Sequence, residues 1–150
     1  MDGPTTPDAV ALTDAVTRLR RALRTSVRAD IAWETLPMAQ VEVLQSLSEL
    51  SPARVADLAE RLHLAPSTVS GLVSQMLRAG LVERATDPLD RRAALITVAP
   101  GGRAQLAAWE QANARRIGAA LRGLGDRDRR AISAAVPSLG RLAALLVADD

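Results

Sequence analysis

A chain of 150 residues, 48% of them apolar, is long enough to bury one core or two small interlocked ones. It has no cysteine and a single histidine, which excludes disulfides, thiolate metal sites and thiol redox sensing. Its net charge of +2 is too slight to attract a polyanion by bulk field, and all 19 basic residues are arginine, so any nucleic-acid contact has to come from arginines placed locally.

The apolar set is mostly Ala, Leu and Val, with two Trp and no Phe or Tyr. Ala and Leu favour helices, and a β-sandwich would want more β-branched and aromatic residues, so the composition leans all-α. No apolar run approaches the ~20 residues of a membrane span. Residues 1–7 lack the basic start and apolar stretch of a signal peptide. The expectation is a soluble, cytoplasmic protein without a membrane partner.

Residues 1–6 read as a short disordered tail. Thr6-Pro7-Asp8 reads as a helix start, with Pro at the first helical position and an acid in the first turn. Leu12, Val16, Leu19, Leu23, Val27 and Ile31 follow at steps of three or four, which predicts a long amphipathic helix. Arg18, Arg20, Arg21, Arg24 and Arg28 lie on its other face. Pro37 opens a second helix with Val41, Leu44 and Leu47 inward. Ser51-Pro52 reads as a cap and first-position pair for a third helix over 53–62, with Val55, Leu58, Ala59 and Leu62 inward. Pro66 opens a fourth, with Val69, Leu72, Val73, Met76 and Leu77 inward and Gly80 as its stop.

The period then changes. Residues 81–84 and 94–98 predict short strands around a polar turn, Asp87-Pro88-Leu89-Asp90-Arg91-Arg92, and so a hairpin. Pro100-Gly101-Gly102 precedes a long helix striped by Leu106, Trp109, Asn113, Ile117, Leu121 and Leu124. Residues 123–126 break it. A last helix carries Ile132, Val136, Leu139, Leu142 and Leu146, with Pro137 expected to kink it.

The pair 53–62 and 67–79, joined by a short turn, has the spacing of a helix-turn-helix, whose second helix enters the major groove with its N-terminal residues at base edges. Its outward positions are Ser67, Thr68, Ser70, Gly71, Ser74 and Gln75. Hydroxyls can bond to phosphate or base edges, Gln can read adenine, and Gly permits close backbone approach. The hairpin directly after it, tipped by Arg91 and Arg92, is what a DNA-binding wing requires, because Arg is favoured in a narrow minor groove. Asp90 is placed to brace one guanidinium and aim the other.

The alternative is a helical interaction module that does not touch DNA, which would not need an arginine-tipped hairpin. An enzyme is not expected: no Gly-rich phosphate loop, nucleophile elbow or paired metal motif is present. No cofactor is expected either, since His63 has no companion metal ligands. RNA or single-strand binding is disfavoured by the shortage of aromatics. Trp33 and Trp109 are candidates to line a ligand cavity.

The runs Ala53-Arg54-Val55-Ala56-Asp57-Leu58-Ala59-Glu60-Arg61-Leu62, Ser67-Thr68-Val69-Ser70-Gly71-Leu72-Val73, Ala79-Gly80-Leu81-Val82-Glu83-Arg84 and Asp87-Pro88-Leu89-Asp90-Arg91-Arg92 resemble the MarR family of bacterial transcriptional regulators. The Asp-Arg-Arg wing, followed by a strand and a Pro-Gly helix start, is the most specific element. The resemblance implies a mainly α fold with a small β-hairpin wing, a winged helix-turn-helix lobe over 37–99 and a helical dimerisation region over 7–34 and 100–148. It further implies a homodimer on double-stranded, palindromic operators, acting as a repressor and released by a small ligand; the absence of Cys and the two candidate pocket tryptophans point to an apolar or aromatic one. Ser67, Thr68, Ser70 and Gln75 fall on its recognition-helix positions and Arg91 and Arg92 on its wing. Departures from the pattern are Ala65 where a capping hydroxyl is common, Gly71 where Arg is common, and Ala99 where Thr is usual.

Overall fold

The computed structural model describes residues 6–28 and 36–148. Helix α1 (Pro7–Arg28) begins as the sequence predicts: the Thr6 hydroxyl accepts the Ala9 backbone N–H at 3.2 Å, which meets one of the donors a helix start leaves open. Along its apolar stripe Val10, Leu12, Val16 and Leu19 are exposed and Leu23 is half-buried. Ile31, Trp33 and residues 1–5 of the tail lie outside the described residues.

The core is built by the next elements. Helix α2 (Met38–Leu50) buries Val41, Leu44 and Leu47, as its period predicts, and also Val43 and Ser46. Strand β1 (Ala53–Arg54), helix α3 (Val55–Leu62), helix α4 (Pro66–Arg78), strand β2 (Val82–Thr86) and strand β3 (Ala94–Val98) close around it. Leu58, Val69, Met76 and Ile96 are fully buried against the α2 residues. Each such side chain contributes roughly 1.5–3 kcal/mol of transfer free energy.

Two expectations need correction. Ala53 and Arg54 do not begin the third helix. They form β1, which pairs antiparallel with β3 (Ala53 with Ile96, Arg54 with Leu95), so the sheet has three strands in the order β1-β3-β2. Arg54, in extended conformation, is the N-cap of α3, and its backbone N–H donates to the Asp57 carboxylate at 3.0 Å. The first hairpin strand runs over Val82–Thr86, beginning one residue later than expected and extending two further, in register with β3 from Val82–Val98 to Thr86–Ala94.

Both helix-turn-helix helices end in the same way. At the end of α3 the Leu64 N–H bonds to the Ala59 carbonyl and the His63 N–H to the Glu60 carbonyl. At the end of α4 the Leu81 N–H bonds to the Met76 carbonyl and the Gly80 N–H to the Leu77 carbonyl. These are paired C-terminal closures with one left-handed residue apiece: His63 at φ 50° and Gly80 at φ 69°. They turn the chain sharply twice, first between α3 and α4 and then between α4 and β2.

Helix α5 (Pro100–Arg122) starts directly after the sheet and buries Gly102 and Leu106 against the lobe, with Trp109 half-buried on the same core. The chain divides into two compact units, residues 1–112 and 113–150. The second contains the end of α5 and helix α6 (Asp126–Ala148), which continues through Pro137. On α6, Ile132, Val136, Leu139, Leu142, Leu145 and Leu146 are exposed. No helix among the described residues is long and apolar enough to cross a membrane.

Candidate nucleic-acid interface

Helix α4 sorts its residues cleanly. Val69, Val73 and Met76 are buried, and Leu72 and Leu77 pack partly against the same core. Ser67, Thr68, Ser70, Gly71, Ser74 and Gln75 are all exposed. None of these hydroxyls, nor the Gln75 amide, is committed to a hydrogen bond among the described residues. The helix carries no acid in its first turn and no side chain caps its start, since Ala65 occupies the N-cap and Pro66 the first position. Pro66 has no N–H, and the Thr68 and Val69 N–H groups bond to the Ala65 carbonyl, so what this start offers an anion such as phosphate is the Ser67 N–H, its hydroxyls and the positive end of the helix dipole.

Next in the chain, joined to α4 by residues 79–81, stands the hairpin. Its tip, residues 87–93, is closed by two consecutive turns. The Asp90 N–H bonds to the Asp87 carbonyl at 3.3 Å and the Ala93 N–H to the Asp90 carbonyl at 2.9 Å, while the Asp87 N–H bonds to the Ala93 carbonyl at 3.2 Å. In each turn the aspartate side chain repeats the move: Asp87 Oδ1 accepts the Leu89 N–H at 2.8 Å and Asp90 Oδ1 accepts the Arg92 N–H at 3.0 Å. Aspartate favours such turns because its short carboxylate reaches the backbone two residues on. Asp90 therefore holds the Arg92 backbone, rather than a guanidinium as the sequence suggests. Arg91 and Arg92 are exposed and make no ion pair among the described residues. Two cations are thus presented on a tightly tied loop.

Asp87, which supports the tip from beneath, is the residue that sequence reasoning missed. Its side chain is only 6% exposed, and its Oδ2 accepts both Nε (2.9 Å) and Nη2 of Arg54, whose side chain is 41% exposed. The Leu89 N–H and the Arg54 guanidinium hold the Asp87 carboxyl below the usual carboxylate range. The partners are 33 residues apart, and only the unexpected strand β1 brings them together. Of the two candidate ligand-contact residues, Trp109 lies half-buried on α5 and Trp33 falls outside the described residues. No group of three or more metal-ligating side chains is found among the described residues.

Comparison with known proteins agrees with this architecture. Residues 36–94 match the sequence model of the MarR family. A stretch of 59 residues is 41% identical to the uncharacterized HTH-type transcriptional regulator YsmB of Bacillus subtilis (strain 168); it spans 39% of this chain and 40% of that protein. The matched part of this chain therefore spans less than half of that curated relative's length. Similarity of structure extends further. A Pseudomonas aeruginosa protein assigned as a transcriptional regulator superposes with a TM-score of 0.78 at 28% identity, covering 93% of this chain and 98% of its own. A MarR family protein of Bacillus stearothermophilus shares the fold, with a TM-score of 0.73 at 22% identity over 94% of this chain and 99% of its own. The lobe over residues 36–94 thus matches the MarR family in sequence, and the chain shares the fold of solved winged helix-turn-helix regulators along nearly its whole length.

Proposed function

We propose that this protein is a transcriptional regulator that binds double-stranded DNA in a sequence-dependent way, as a homodimer on a palindromic operator, and represses the genes it covers. One observation carries the reading: α4 has an acid-free, uncapped start and an exposed face of uncommitted Ser67, Thr68, Ser70, Ser74 and Gln75, and the hairpin after it has a hydrogen-bonded tip that presents Arg91 and Arg92 without an ion pair among the described residues. The helix suits major-groove edges and phosphates, and the arginines suit a narrow minor groove. Gly71 lets the α4 backbone approach the duplex closely. The names of the curated relatives, HTH-type transcriptional regulators, support the same class.

The dimer is supported by apolar stripes that the single chain leaves bare: Val10, Val16 and Leu19 on α1, and Val136, Leu139, Leu145 and Leu146 on α6. Bare apolar stripes of this length mark association surfaces. A small apolar or aromatic effector that releases the operator completes the proposal. Trp109 on α5 is the described aromatic that would meet it. An open groove of about 590 Å³ lies beside that tryptophan, between Gln45, Ser48 and Glu49 of α2 and Arg103, Leu106 and Glu110 of α5; its lining is mostly polar and does not include Trp109, so an effector there would need polar groups as well as an apolar face.

The test is to enrich genomic DNA fragments on the purified protein, sequence them and footprint one. The expected result is a shared inverted repeat protected in two half-sites about one helical turn, ~34 Å, apart. Recovery of no common sequence, or protection of a single half-site at saturation, would contradict the proposal.

A further inference from the structure

We propose that the Arg54–Asp87 bridge sets the pose of the wing on DNA, so that two residues outside the contact surface govern how well Arg91 and Arg92 engage the duplex. The inference rests on the DNA-binding reading above and assigns a positioning role to two residues which that reading leaves idle.

The argument begins at the tip. Beyond the Thr86–Ala94 pair the sheet ladder ends, and every backbone bond of residues 87–93 is local to the tip. The bridge from Asp87 to Arg54 is the one side-chain link, among the described residues, that runs from the tip to the helix-turn-helix. It is anchored firmly at both ends. Asp87 is buried, with one oxygen held by the Leu89 N–H and the other by the Arg54 fork. Arg54 is fixed by its pairing with Leu95 in β3 and by the Asp57 carboxylate on its backbone N–H, at the N-cap of α3. A planar guanidinium donating two N–H groups to one carboxylate fixes direction as well as distance. The tip is therefore referenced to the start of α3, the first helix of the pair, rather than only to the two strands beneath it.

A half-exposed partner makes the pair a modest source of fold stability, whereas an arginine tip displaced by about an ångström loses its groove contact. The bridge should therefore show in DNA affinity more than in melting. Removing Arg54 alone would strand a buried carboxylate, so the informative variants are Asp87→Asn, Arg54→Lys and the double variant Arg54→Met/Asp87→Asn. Each is measured for operator affinity and thermal melting, with and without Arg92→Ala, as a double-mutant cycle.

In the native background Arg92→Ala should weaken binding about fivefold or more. The folded double variant should lose about as much by itself, and adding Arg92→Ala to it should matter less than about twofold, because a wing out of position has little left to lose. Should the double variant fail to fold, Arg54→Lys and Asp87→Asn, each of which keeps a polar partner in place, carry the same comparison with smaller losses. Native affinity in all folded bridge variants, or a full additive loss on adding Arg92→Ala, overturns the inference while leaving the wing reading intact. Native affinity of Arg92→Ala in the unaltered background overturns the inference, and native affinity of Arg91→Ala as well overturns the wing reading with it.

Discussion

Gly102, in the first turn of α5, lies directly against the backbone carbonyl of Leu81: a methyl group built on its α-carbon would stand 2.0 Å from that oxygen and 3.1 Å from Leu44 Cδ2. The same carbonyl accepts the Ala99 N–H at 3.0 Å. The approach seats the start of α5 on the link between α4 and β2, and only a residue without a side chain allows it. Gly102→Ala should force the two segments apart and destabilise the protein by about 1–3 kcal/mol or more, read as a lower denaturation midpoint at unchanged m-value. An unaltered midpoint would show that the contact is slack.

Gly71 is the opposite case. It sits mid-helix on α4, and a methyl group there would meet nothing within 4 Å. Gly71→Ala should therefore stabilise the fold by roughly 0.5–1 kcal/mol through helix propensity. On an interface with DNA the same methyl stands where the backbone must come close, so operator affinity should fall while the melting temperature rises. Gains in both quantities would remove Gly71 from the contact surface.

Asp87 makes a specific pH prediction. Its carboxyl is held below the usual range, first by the Leu89 N–H and then by the Arg54 guanidinium. A carboxylate whose folded pKa is depressed contributes stability that is complete above its unfolded value, near 4, and is lost as pH falls through the lower folded value. This contribution should therefore be flat from neutral pH down to about pH 5 and decline only in stronger acid. Asp87→Asn should flatten that acid limb relative to the native protein. Equal acid limbs in equilibrium unfolding would mean that the bridge does not report on folding.

The bare stripe of α6 predicts assembly. Leu139 and Leu142 are 45% and 38% exposed in the single chain, and a charge placed there would have to be buried in a dimer at high cost. Leu139→Asp should shift the protein to monomer, or to an unfolded chain, in sedimentation equilibrium at micromolar concentration. A well-folded native monomer under the same conditions would refute the dimer.

Much of this was legible in the sequence, for local reasons. The buried positions of α2, α3 and α4 follow from helical spacing, and the α4 stop at Gly80 follows from the need for a left-handed residue. The exposed polar face of α4 is what remains once the apolar stripe faces inward. Strand β1 was not legible. Two residues are too few to show a period of two, and Ser51-Pro52 in front of them imitates a helix cap. The pairing of Arg54 with Asp87 stayed hidden for the same reason, because it depends on that strand and joins residues far apart in the chain. Asp90 was read as partner to a side chain, whereas an aspartate two residues before a backbone N–H closes a local turn more readily than it holds a mobile guanidinium.

The central claim, that the hairpin is a DNA-reading wing, is tested most directly by the affinity and melting of three tip variants at one salt concentration. Arg91 and Arg92 are exposed and carry no packing, so Arg91→Ala and Arg92→Ala should leave the melting temperature nearly unchanged. Arg92→Ala should weaken operator binding by ~1–3 kcal/mol and lower the slope of log affinity against log salt by about one. Arg92→Lys should recover part of the loss, because an ammonium keeps the charge and lacks the planar fork. If Arg91→Ala and Arg92→Ala both bind the operator like the native protein, the hairpin is a solubilising turn and the account of this surface as a winged DNA-binding module is contradicted.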